Sequence, residues 1–135
     1  MDLIDSLMIS AAGLRVQGQR LRVISENVAN ADSVSEKPGG DPYRRKTITF
    51  KNMLDRDSGL KLVSVEKISP DPSDFGRKYD PNNPAADQTG YVKLPNVNAL
   101  IELSDMREAQ RSYEANLKVI EVARGMLSKT IDLLR

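Results

Sequence analysis

Apolar residues recur every seven positions at both ends of the chain. Near the N-terminus, Leu7, Leu14, Leu21 and Val28 form one line, widened by Leu3, Ile4, Met8 and Ala11. Near the C-terminus, Met106, Tyr113, Ile120, Leu127 and Leu134 form another, with Leu103, Ala109, Leu117, Ala123 and Ile131 beside it. A step of seven returns to nearly the same side of an α-helix, so each line predicts an amphipathic helix. The first helix is expected from near Asp2 to near Asn30, with Asp2 and Asp5 suited to capping and to the helix dipole. The last is expected to begin after Pro95, capped by Asn96 or Asn98 with Glu102 following. At the rise of an α-helix these are roughly 45 and 50 Å long, too long for so small a domain to cover. Because the intervening chain joins the end of one helix to the start of the other, the simplest topology is an antiparallel, coiled-coil-like hairpin. Its expected seam is Leu7, Leu14, Leu21 and Val28 against Met106, Tyr113, Ile120, Leu127 and Leu134.

Each helix carries a second apolar stripe. At about 100° per residue, Ile9, Val16 and Val23 lie roughly 150° around from the leucine line. On the last helix, Ile101, Val119, Val122, Met126 and Leu133 lie roughly 135° from the Tyr113 line. If the first stripes pair with each other, the second ones face outward, where contiguous apolar surface marks a docking site. The expectation is therefore a helical protein that packs its second stripes against other subunits. Gly13, Gly18 and Gly125 fall inside the helical patterns, where each either permits close helix approach or is merely tolerated.

Between the helices the pattern changes. All seven prolines, five of the eight glycines and five of the six aromatic residues lie between Ala31 and Asn96. Tyr43–Phe50 and Leu60–Ile68 read as strands joined through Asp57-Ser58-Gly59, and Pro70 to Pro84 is dense in turn residues. The fold class is thus mainly α. Residues 1–31 and 96–135 are expected to form one discontinuous helical domain, and 32–95 an irregular middle segment with short β-strands.

Composition removes most chemistry. The 135 residues contain no Cys, no His and no Trp, so thiolate and imidazole nucleophiles, bases and metal ligands are absent together. Twenty basic and nineteen acidic residues leave a net charge of +1, which is a poor footprint for nucleic acid. The flanks are also balanced, with three acids and three bases in 1–31 and six of each in 96–135. Tyr43-Arg44-Arg45-Lys46 is a basic cluster suited either to an acidic neighbour or to a solvated strand end. Pro38-Gly39-Gly40-Asp41-Pro42 lacks the Lys-Ser/Thr of a phosphate loop. Asp80-Pro81-Asn82-Asn83-Pro84 begins like a calcium loop but has Pro and Ala where a ligand and Gly belong. No catalytic residue, metal, cofactor, nucleic acid or small-molecule substrate is expected. No apolar run is long enough to span a bilayer, and the N-terminus has neither the basic nor the apolar region of a cleaved signal.

Glu26-Asn27-Val28-Ala29-Asn30-Ala31, closing an amphipathic first helix, resembles the signature of the flagellar basal-body rod, hook and related axial proteins. Asn27, Ala29 and Asn30 are its motif positions. Asn96-Val97-Asn98, Glu108 through Asn116 and Met126-Leu127 resemble the C-terminal helix of the same family. Gly39 through Lys46, Tyr79 through Pro84 and Gly90-Tyr91-Val92 resemble its proximal-rod members. Where the family is richer in Thr, this chain has Asp32-Ser33-Val34-Ser35. The resemblance implies a non-enzymatic structural subunit of the proximal rod that carries torque. It further implies export by the flagellar type III apparatus without signal cleavage, and a place in the periplasmic basal body. The implied partners are copies of itself, other rod proteins, the inner-membrane ring and the export apparatus. Another axial subunit, or a helical secretion adaptor or chaperone, would share the helical features.

Overall fold

The terminal periodicities become two long helices in the computed structural model, which describes residues 2–135. The elements run α1 (Leu3–Ala29), β1 (Lys46–Leu54), β2 (Lys61–Pro70), β3 (Gly76–Tyr79), β4 (Tyr91–Leu94) and α2 (Ala99–Leu133). The protein is mainly helical, with small antiparallel sheets between the helices. Asp2 starts α1: its Oδ1 accepts the Leu3 N–H, while the Asp5 carboxylate accepts the N–H of Asp2 at 3.0 Å. Asn98 starts α2, its Oδ1 accepting from the N–H groups of Leu100 and Ile101 at 3.1 and 3.4 Å. Among the two candidate caps, Asn98 therefore does the capping, and Asn96 is engaged elsewhere.

Two compact units divide the chain, and both helices and the β1–β2 hairpin pass from one to the other. The first comprises Met1–Leu21, Thr49–Lys67 and Arg107–Arg135; the second comprises Arg22–Ile48 and Ile68–Met106.

In the first unit the buried apolar residues are Ala12 and Val16 of α1 and Ala109 and Ala123 of α2. Gly13 faces Asn116 so closely that a Cβ added there would lie 2.8 Å from the Asn116 side chain. Arg20 reaches Glu108 at 3.4 Å. The hairpin turns through Asp55, whose N–H meets the Leu60 carbonyl at 2.8 Å, and whose carboxylate accepts the Ser58 hydroxyl at 2.7 Å.

In the second unit Val23 and Ile24 of α1 are buried along with Ala85 and Val92. Strands β3 and β4 pair antiparallel, with Gly76 opposite Leu94 and Tyr79 opposite Tyr91. The two tyrosine rings meet edge to face at 5.3 Å. Gly90 has φ 83° and sits where a Cβ would be 2.9 Å from the Tyr79 ring, so both conformation and space call for glycine.

Three expectations need correction. Val16 and Val23, expected on an outward stripe, are each 4% exposed, whereas Ile9 at 40% does face outward. The leucine line of α1 (Leu7, Leu14, Leu21, Val28) is only half-buried. On α2, Tyr113 is 36% and Leu134 84% exposed, while Met106, Ile120 and Leu127 are half-buried. The most enclosed positions of α2 are instead Glu102, Ala109 and Ala123, on a seven-residue line that also contains Asn116. Small residues explain the difference, because they let backbones come together where a line of large side chains would hold them apart. Beside that line, Leu103, Leu117 and Ile131 are exposed. The second correction is β1, which begins at Lys46 rather than Tyr43. The third is the pair β3–β4: β3 falls inside the Pro70–Pro84 stretch read as turns, and its partner β4 follows that stretch. Strands of four residues are too short to show a period of two.

Candidate assembly interface

Two arrangements stand out: an apolar stripe on the outside of α2 and a polar cluster at the opposite extreme of burial. The stripe comprises Ile101 (54% exposed), Val119 (45%), Val122 (47%), Met126 (54%) and Leu133 (87%). In the first unit Val119, Val122 and Met126 line a groove of about 460 Å³ together with Ala115, and with Leu3 and Ser6 of α1 on its other wall. This groove follows from the sequence locally. Three consecutive turns of α2 place apolar residues on one side, and Leu3 and Ser6 belong to the first turn of α1, where the helix is starting. Lys118 lies at the groove and pairs with the exposed Glu121 at 3.1 Å, a contact of little energetic weight.

The polar cluster lies wholly in the second unit. Asn27, 1% exposed, uses all of its side-chain hydrogen-bonding capacity. Its Nδ2 donates to the Lys46 carbonyl at 2.9 Å and to Glu102 Oε2 at 3.2 Å. Its Oδ1 accepts from the Lys46 N–H and from the Tyr43 hydroxyl, both at 2.9 Å. Glu102, also 1% exposed, binds Arg45 Nε through its other oxygen. Arg45 continues to Asp71 at 3.2 Å and lies 4.0 Å from Asp105. Its backbone N–H donates to Asn96 Oδ1 at 2.7 Å, and the Asn96 amide reaches the Asp71 carbonyl and the backbone and hydroxyl of Ser73. Arg44 donates to the carbonyls of Asp71 and Ser73 and stacks over the Phe75 ring at 4.1 Å.

Electrostatics follow this wiring. Donation from the Ser73 backbone and hydroxyl, helped by Arg45, holds the Asp71 carboxyl below the ordinary aspartate value of 3.8. Burial opposes the Arg45 charge, but Glu102 and Asp71 outweigh it and raise the guanidinium further. Burial pushes the Tyr43 phenol up. At the surface Lys46 and Glu26 meet at 2.8 Å; their hydrogen bond and charges lower the carboxyl and raise the ammonium.

Of the motif positions, Asn27 lies at the centre of this cluster. Asn30 closes α1 by donating to the Glu26 carbonyl at 2.8 Å and accepting from Ser33 at 3.1 Å, while Ala29 is exposed. Arg45, Glu102, Asp71 and Asn96 were not read from the sequence as one group. A signal for it existed: Glu102 is a carboxylate seven residues before Ala109 on a helix, and a basic cluster at 43–46 was available to pair with it. Of the two uses expected for the 43–46 cluster, pairing with acidic neighbours describes Arg45, which holds Glu102 and Asp71, and Lys46, which holds Glu26 at the surface.

Residues 88–133, from just before β4 through α2, match the family described as flagellar basal body rod FlgEFG protein C-terminal. Over 127 residues, 94% of this chain and 91% of the relative, the chain is 58% identical to the flagellar basal-body rod protein FlgC of Agrobacterium fabrum. It is 39% identical over 135 residues to the protein of that name from Salmonella typhimurium, with 98% of each covered. It is 37% identical over 143 residues to that of Bacillus subtilis, with 95% of each covered. These relatives match 94–98% of the chain at 37–58% identity, and the chain belongs to the FlgC family of flagellar basal-body rod proteins.

Proposed function

We propose that this member of a structural rod family is a non-enzymatic subunit of the proximal rod, and that it polymerises through its terminal helices. They pair within the subunit as an antiparallel, coiled-coil-like hairpin. Its partners are copies of itself and other rod proteins, with the inner-membrane ring and the export apparatus at the start of its path. It works in the periplasmic part of the basal body, after export without signal cleavage, and transmits torque. The observation that carries this reading is the stripe Ile101, Val119, Val122, Met126 and Leu133, apolar and 45–87% exposed. Contacts between the helices support the antiparallel sense: Gly13 meets Asn116 and Arg20 meets Glu108 in one unit, and Asn27 meets Glu102 in the other.

The intersubunit stripe is accordingly proposed as Ile9 with the exposed α2 residues, without Val16 and Val23. Val119→Asp and Val122→Asp test it. A carboxylate at either position stays hydrated in the free subunit, but in an apolar interface it is an unpaired buried charge costing several kcal/mol. Both variants are expected to fold and be exported, to be missing from isolated basal bodies, and to leave cells non-motile in complementation. Parental incorporation and swimming by both would refute the reading.

A further inference from the structure

We propose that the Asn27 side chain acts as the first rung of β1, a positioning residue that makes order in residues 43–46 conditional on both helix ends being in place. Strand β1 begins at Lys46 and, among the described residues, has only β2 as a strand partner. Yet the N–H and the C=O of Lys46 are both taken, at 2.9 Å each, by one amide, that of Asn27. Exchange of both backbone bonds with one opposing group is what a paired residue on a neighbouring antiparallel strand supplies. The helix end thus stands in for a missing strand.

The same amide has a second N–H and a second lone pair, and both leave the rung. One goes to Glu102 on the first turn of α2, the other accepts from Tyr43. Glu102 then holds the Arg45 side chain, and the Arg45 N–H is held by Asn96. Three segments are therefore tied to 43–46: the end of α1 through Asn27, the loop before α2 through Asn96, and α2 itself through Glu102. Asn27 and Glu102 are each 1% exposed, so water cannot replace a lost partner. A state with one helix end docked and the other free would leave a buried amide or carboxylate unpaired, which disfavours it. The cluster is an all-or-none latch. This inference does not depend on the assembly reading, because it concerns the isolated subunit.

Residue-resolved amide exchange on the full-length chain tests it. The reporter is the Lys46 N–H, and the reference is the Asp55 N–H, bonded to Leu60 in the other unit. Asn27→Ala removes the rung and is expected to speed Lys46 exchange on the order of 30-fold. Glu102→Gln, which bonds Asn27 and Arg45 but not Lys46, is expected to speed the same amide about tenfold, because one of its two acceptors becomes a donor. The double variant is expected to exchange no faster than Asn27→Ala alone, the non-additivity of one network. Asp55 should stay at the parental rate. Lys46 exchange unchanged by Glu102→Gln, effects that multiply in the double variant, or equal acceleration of Asp55 would each overturn the proposal. If Asn27→Ala fails to fold, Tyr43→Phe combined with Glu102→Gln carries the same test. Each alone is expected to accelerate Lys46, and the pair no more than the stronger of the two.

Discussion

A carboxylate on the buried line of a helix is costly unless every oxygen is engaged, and Glu102 meets that condition through Arg45 and Asn27. Truncating it takes one acceptor from the Arg45 guanidinium and one from the Asn27 amide. Glu102→Ala is therefore expected to destabilise the chain by about 3 kcal/mol, read from the denaturation midpoint in urea. Asp71 belongs to the same cluster but answers to pH. Its carboxyl is held below the ordinary 3.8 by Ser73 first and Arg45 after it. A depressed carboxyl contributes stability that is fully present above the unfolded-state value and lost as pH falls through the folded-state value. Stability is expected to drop on acidification from about pH 5 toward pH 3, and Asp71→Asn should flatten that part of the curve relative to the parent. A slope unchanged by the substitution would show that Asp71 is not responsible.

At the scale of elements, the two helices meet through small residues, and glycine positions separate sharply. A Cβ at Gly13 would lie 2.8–2.9 Å from the Asn116 side chain, which is itself held by the Ser112 carbonyl at 2.8 Å. At Gly18 and Gly125 nothing lies within 4 Å. Gly13→Leu is expected to cost about 1–3 kcal/mol through overpacking. Gly18→Ala and Gly125→Ala should each stabilise the free subunit by up to about 1 kcal/mol through helix propensity. Thermal unfolding of the three variants checks this, and a neutral Gly13→Leu would remove the close approach from the account. Helices of 27 and 35 residues are stable mainly where an apolar face is covered. In α2 everything after Leu127 is exposed, whereas Glu102 and Ala109 are buried. Amide exchange in the monomer is expected to be slow around 102–109 and fast beyond 127, and uniform protection along α2 would contradict this.

For the whole molecule, the contrast between Val16 and Val119 separates folding from assembly. Val16 is 4% and Val119 45% exposed. Val16→Asp buries an unpaired charge inside the subunit and is expected to unfold or severely destabilise it, by several kcal/mol. Val119→Asp should retain the parental circular dichroism and melting temperature. If both variants melt alike, the burial difference has no energetic meaning. Position 6 and position 123 line one groove, so cysteines introduced at both are expected to crosslink in the folded subunit.

Sequence periodicity alone was sufficient for the existence, length and class of α1 and α2, because a seven-residue apolar repeat has no other regular solution. It also located the β1–β2 hairpin, where alternation and the Asp57-Ser58-Gly59 turn agree, and the motif order identified the family. It did not show which apolar line faces inward. Leu14 and Val16 are both apolar at helical spacing, and the choice depends on the partner surface, which at Ala109, Asn116 and Ala123 is shaped by small residues. The Asn27–Glu102–Arg45 cluster was similarly hidden, since its members are separated by 18 and 57 residues along the chain. Hydrogen bonding between groups so distant is decided by tertiary geometry, and only there does the Asn at a helix end become the partner of a strand.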